Sequence, residues 1–108
     1  MKLQTFKIPC AHPMAAYGGP KVEIKTVKGY EQEICGIRCI VHHNPNPGGK
    51  FVVAEYSTGM LITTGRNRVL AIAEAEKKIS PHKDNWNNIL QKESNKLRAL
   101  KVKLPLNL

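Results

Sequence analysis

The sequence predicts an α+β fold: a four-stranded antiparallel meander sheet followed by two C-terminal helices packed on one face. Three observations carry this expectation. Apolar and polar residues alternate with period two over 21–43, Gly/Pro clusters punctuate the chain on either side of that stretch, and beyond Gly65 the apolar spacing becomes helical. At 108 residues, 42% hydrophobic and 23% charged, the chain has the size and composition of one self-sufficient core.

Residues 1–20 hold Pro9, Pro13, Gly18, Gly19 and Pro20, a density that opposes a long helix or a central strand. They are expected to form an irregular N-terminal arm, leaving 21–108 as a single α+β domain. In KVEIKTVKGYEQEICGIRCIVHH, Val22, Ile24 and Thr26 share one strand face and Lys21, Glu23 and Lys25 the other. A turn is expected near Lys28-Gly29, with a second, longer strand after it. The breaker cluster NPNPGG at 44–49 predicts an exposed hairpin loop, and KFVVAEYSTGMLITTG predicts two short strands joined at Ser57-Thr58-Gly59.

The helical part begins with Asn67 as N-cap. Ala71, Ala73 and Ala75 favour the helix, Lys77 and Lys78 suit its negative end, and Pro81 stops it, which predicts a helix over about 67–79. Ser80-Pro81 supplies a second N-cap and a proline suited to a first turn, for a helix over about 81–100. Trp86, Ile89, Leu90, Leu97 and Leu100 fall on one stripe of that helix, interrupted by Glu93. The tail at 102–108, with its alternation and Pro105, reads as an edge strand or an extended arm for homodimerisation.

CGIRCIVHH, from Cys35 to His43, supports two readings. A zinc site would recruit Cys35, Cys39 and His42 or His43, completed by Cys10 or His12. A regular strand, however, rises about 3.3 Å per residue, so Cys35 and Cys39 would stand roughly 13 Å apart. Alternation instead places Cys35, Ile37, Cys39, Val41 and His43 on one face, where free cysteine packs as a small apolar residue. The strand reading is preferred: no metal and no cofactor are expected, and the structural zinc domain stays an alternative.

No nucleophile elbow, P-loop or GxGxxG is present, and the paired carboxylates Glu31/Glu33 and Glu74/Glu76 read as solvated faces, so no enzymatic activity is expected. Three cysteines give no complete disulfide framework, the opening MKLQTFKIPCAHP lacks the pattern of a secretory leader, and no apolar run approaches a membrane span. A cytoplasmic setting without membrane contact is the expectation.

Charge gives the functional lead. Seventeen Lys and Arg against eight acidic residues leave a formal +9, with a pI near 9.7. The excess is strongest over 81–108, where Lys83, Lys92, Lys96, Arg98, Lys101 and Lys103 face only Asp84 and Glu93. Such a surface attracts phosphate backbones or acidic proteins. In TTGRNRVL, residues 63–70, a strand turns at Gly65 into a helix whose free N–H groups and flanking Arg66 and Arg68 suit a phosphate. Aromatic residues are scattered, so backbone contact is expected rather than base stacking.

FVVAEYSTGMLITTGRNRVLAIAEAEKKI, residues 51–79, resembles the strand-strand-helix half of double-stranded-RNA-binding domains. The resemblance implies that Arg66 and Arg68 take the place of the basic residues that meet phosphates at the helix start, with Ala71 and Ala75 toward the sheet. In size and architecture the chain also resembles small phage or mobile-element proteins, some of which inhibit host defence complexes such as CRISPR nucleoproteins. The leading expectation is a small basic binding protein that engages nucleic acid or a nucleoprotein through Arg66, Arg68, Lys92, Lys96, Arg98, Lys101 and Lys103. The alternative is a protein-interaction module of that inhibitor type.

Overall fold

The computed structural model describes residues 3–11, 15–19, 21–43 and 50–107; the predicted 44–49 loop, His12 and Leu108 lie outside the described residues. Five antiparallel strands form one sheet in the order β1-β2-β3-β4-β5: β1 Gln4–Ala11, β2 Val22–Ile34, β3 Ile37–His43, β4 Phe51–Glu55 and β5 Leu61–Gly65. Helix α1, Arg68–Ile79, a 3-10 stretch Ser80–Asn85 and helix α2, Trp86–Ala99, follow without interruption.

The extra strand is the first correction to the sequence reading. Pro9 lies in β1, opposite Ile24. It is tolerated because β1 is an edge strand, and the backbone groups of Lys7, two residues earlier on the same side, point away from β2 toward Asn107. A missing N–H on that outer side breaks no ladder hydrogen bond.

The second correction moves the turn. β2 passes through Lys28-Gly29 as continuous strand, and Gly29 pairs with Gln4 on one side and His42 on the other. The backbones are so close there that a Cβ on Gly29 would collide with the Val41 carbonyl oxygen and His42 Cβ. Gly29 therefore permits a crossing rather than a reversal. The chain reverses at Cys35-Gly36, between the paired Ile34 and Ile37, with φ of 52° and 78°. Both residues are left-handed, as a two-residue type I′ hairpin demands.

The third correction concerns the helices. Instead of two separate helices on one face, a single helical run occupies 68–99. Pro81 has no N–H to continue the α pattern, yet its φ is helical, so the chain tightens into 3-10 geometry and resumes at Trp86. α1 lies along β5 and β4. α2 meets the core mainly through Trp86, Ile89 and Leu90.

Two apolar clusters result. Ile34, Cys39, Val41, Val53, Ile62, Ala71, Ala75, Ile79 and Trp86 fill the space between sheet and helices. Phe6, Val27, Ile40 and Tyr56 form a smaller cluster on the opposite side. The Phe6 and Tyr56 rings meet edge to face, 6.0 Å apart. Since β1 and β4 are separated by two strands, this contact requires a strongly coiled sheet.

The tail at 102–107 is not an edge strand. Leu106 N–H donates to the Ser57 carbonyl at 2.8 Å, and Asn107 bonds the backbone of Lys7 and Tyr56. Through residue 107 it packs against its own chain.

Candidate functional site

The start of α1 is built as its sequence suggests. Asn67 is extended, with φ −139° and ψ 174°, and its side-chain oxygen accepts from Leu70 N–H at 2.9 Å while its carbonyl accepts from Ala71 at 3.0 Å. Ala71 and Ala75 are fully buried, so the opposite side of α1 faces outward. Arg66 and Arg68 flank the cap, both exposed, and no acidic residue occupies the first turn. The Arg68 guanidinium lies 5.3 Å from the Tyr30 ring centroid, which holds one cation beside the sheet.

The other five candidate residues are arranged around α2 and the tail. Trp86 and Leu97 are buried, and Ile89, Leu90 and Leu100 half-buried, which reproduces the predicted stripe. Lys92 and Lys96, one turn apart, share a flank of that stripe. Arg98 lies about 160° around the helix from Lys96, on the opposite flank. Lys101 terminates α2 with φ 63°: its N–H donates to the Arg98 carbonyl and Val102 N–H to the Leu97 carbonyl, a Schellman closure with lysine where glycine is usual. Lys103 follows on the returning tail. The structure thus groups Arg66 with Arg68 and Lys92 with Lys96, and it separates Arg98 from the second pair.

All seven cations are exposed, and none makes a salt bridge among the described residues. Among the described residues, Arg38 pairs with Glu31 and Lys77 with Glu74.

The Cys35–His43 segment forms the β2–β3 turn and β3. Cys35 is in the turn, and Cys39 is completely buried in the larger cluster. Burial pushes the Cys39 thiol up to about 12, with further upward pressure from Glu55 and Cys35, so it carries no thiolate near neutrality. His42 is buried on the other sheet face. Desolvation lowers its pKa, outweighing the opposing contact of Nδ1 with the His43 carbonyl, and its Nε2 has no hydrogen-bond partner among the described residues. Among the described residues, no three His, Cys, Asp or Glu side chains gather as a metal would require.

Sequence reasoning missed two polar features. Glu55, only 4% exposed, accepts from Ser57 N–H and Oγ at 2.5 Å each and from Thr58 N–H and Oγ1 at 2.9 and 3.0 Å. These bonds make it the internal brace of the β4–β5 turn. Arg38 lies over the Tyr56 ring, 3.7 Å from its centroid, while pairing with Glu31. A carboxylate ending the run FVVAE, with Ser57 and Thr58 two and three residues beyond it, was the available signal for the first.

Among the described residues no helix is long and apolar enough to cross a membrane. No family model, curated protein or solved structure matches the chain.

Proposed function

We propose that this protein is a small, non-enzymatic binding protein whose distributed positive surface engages the phosphate backbone of nucleic acid, free or within a nucleoprotein. The observation that carries the reading is the exposure of Arg66, Arg68, Lys92, Lys96, Arg98, Lys101 and Lys103 without salt-bridge partners among the described residues. Cations that are not neutralised within the fold leave their field available to an external anion.

Their arrangement favours backbone contact over base readout. They occupy a helix start, two flanks of α2 and a tail, and among the described residues the ring contact they make is that of Arg68 with Tyr30, too little for a base-stacking platform. Each engaged phosphate should release condensed counterions, giving binding that weakens as salt rises and depends little on sequence.

Fluorescence anisotropy with labelled duplex DNA, duplex RNA and single strands, titrated over a range of salt, tests the proposal. Affinity that falls linearly in log–log form with salt, and that drops for Lys92→Gln/Lys96→Gln across all sequences, is the expected result. Absence of binding at low salt overturns it.

A further inference from the structure

The start of α1 carries a feature that phosphate binding does not use. Val69 is 73% exposed and Leu70 48% exposed, in consecutive positions of the first helical turn. Together with Phe51, Asn67 and Arg68 they line one open groove. Aliphatic side chains held in water beside a half-buried aromatic ring gain nothing from a phosphate, and they gain on burial against apolar groups.

We infer that this groove docks an acidic peptide segment of a protein partner, with an aliphatic or aromatic side chain seated on Val69, Leu70 and Phe51 and a neighbouring Asp or Glu set against Arg66 and Arg68. Charge complementarity selects this occupant. A second copy of the chain would bring a surface of the same sign, since the protein is +9 overall and a two-fold contact here would place Arg66 and Arg68 near their equivalents. A nucleic-acid strand would satisfy the arginines and leave the aliphatic pair without a partner. An acidic, apolar segment satisfies both, its carboxylates steering approach and its apolar anchor supplying contact area.

The surface is built to present these groups. Asn67 fixes the helix start through Leu70 N–H, and Arg68 is held toward Tyr30. The proposal shares Arg66 and Arg68 with the nucleic-acid reading and is told apart from it by Val69, Leu70 and Phe51, which that reading does not use.

Selection of a phage-displayed random dodecapeptide library against the full chain tests the inference. Enriched peptides should combine Asp or Glu with aliphatic or aromatic residues. As synthetic peptides they should bind about tenfold or more weakly to Val69→Ser/Leu70→Ser and to Arg66→Gln/Arg68→Gln. Both pairs are exposed, so an unchanged melting temperature serves as the folding control. Val69→Ser/Leu70→Ser should also leave affinity for duplex DNA and RNA unchanged. The inference is overturned by a lack of enrichment, by peptides without acidic residues, by full affinity in the Val69→Ser/Leu70→Ser variant, or by loss of nucleic-acid affinity in that variant. Failure of the nucleic-acid titrations with wild-type protein bears on the other proposal alone.

Discussion

The carboxamide of Asn107 pairs with the backbone of Lys7 much as a neighbouring strand would. Its Oδ1 accepts from Lys7 N–H at 2.7 Å and its Nδ2 donates to the Lys7 carbonyl at 3.0 Å, with a further 2.8 Å bond from Nδ2 to the Tyr56 carbonyl. One side chain thereby occupies part of the open edge of β1 and ties it to the turn after β4. An unpaired edge is a template for association, and this contact blocks it locally.

Asn107→Ala should therefore destabilise the fold by about 0.5–1.5 kcal/mol, since the two Lys7 bonds are exposed and only the Tyr56 carbonyl contact is partly buried. Hydrogen exchange supplies the specific readout. Lys7 N–H should lose protection in the variant while amides of β3 and β4 keep theirs; unchanged protection at Lys7 would show that the pairing contributes nothing.

Glu55→Gln should lower stability more than substitutions at exposed carboxylates such as Glu74. All four donors at Glu55 require acceptors, and an amide presents one NH₂ where an oxygen is needed. A cost of about 2 kcal/mol is expected, measurable as a lower urea midpoint with an unchanged slope. A midpoint equal to that of the parent would contradict the bracing role.

His42 predicts an acid-side loss of stability. Its folded pKa is lowered by desolvation from the ordinary 6.5, so as pH falls below that value the unfolded chain takes up a proton that the folded chain resists. Stability due to this group should decline by at most about 1.4 kcal/mol per pH unit down to its lowered folded value. His42→Leu should flatten that part of the profile in urea melts. Cys39 acts at the other end: its folded thiol is raised to about 12, so stability should fall as pH rises above the usual thiol range, and Cys39→Ala should reduce that slope.

Lys101→Gly should raise the melting temperature. Lysine holds φ 63° at the end of α2, and glycine adopts that conformation without a Cβ penalty of about 1 kcal/mol. The gain corresponds to roughly 4 °C in a domain of this size. No gain in a thermal melt would locate compensating contacts in the lysine stem.

What could be read from sequence was what local chemistry decides. Asn67 announced the start of α1 and the Trp86–Leu100 spacing the buried stripe of α2, whereas the inward side of Ala71 and Ala75 came only from the resemblance to double-stranded-RNA-binding domains. The inward set Cys39 and Val41 followed from alternation. Tertiary context decided the rest. Pro9 argued against a strand because nothing local revealed that β1 would be an edge. Lys28-Gly29 looked like a turn, and Cys35-Gly36 did not, because a glycine that permits close crossing has the same letter as one that permits reversal. Pro81 marked a break that became a change of helical pitch. In the candidate surface, helical spacing alone sets Lys92 and Lys96 on one flank of α2 and Arg98 across from them; it could not show that α2 ends at Ala99, which leaves Lys103 on the tail and off that flank. The return of the tail depended on Asn107, a residue one hundred positions from its partner.

The most direct test of the account compares the salt dependence of duplex binding for the parent and for Lys92→Gln/Lys96→Gln. A phosphate-binding surface predicts a linear fall of log affinity with log salt, and a slope shallower by about 1.8 in the double variant if both lysines meet duplex DNA phosphates. Binding that is indifferent to salt, or an identical slope and affinity in parent and variant, would contradict the role given to that flank of α2.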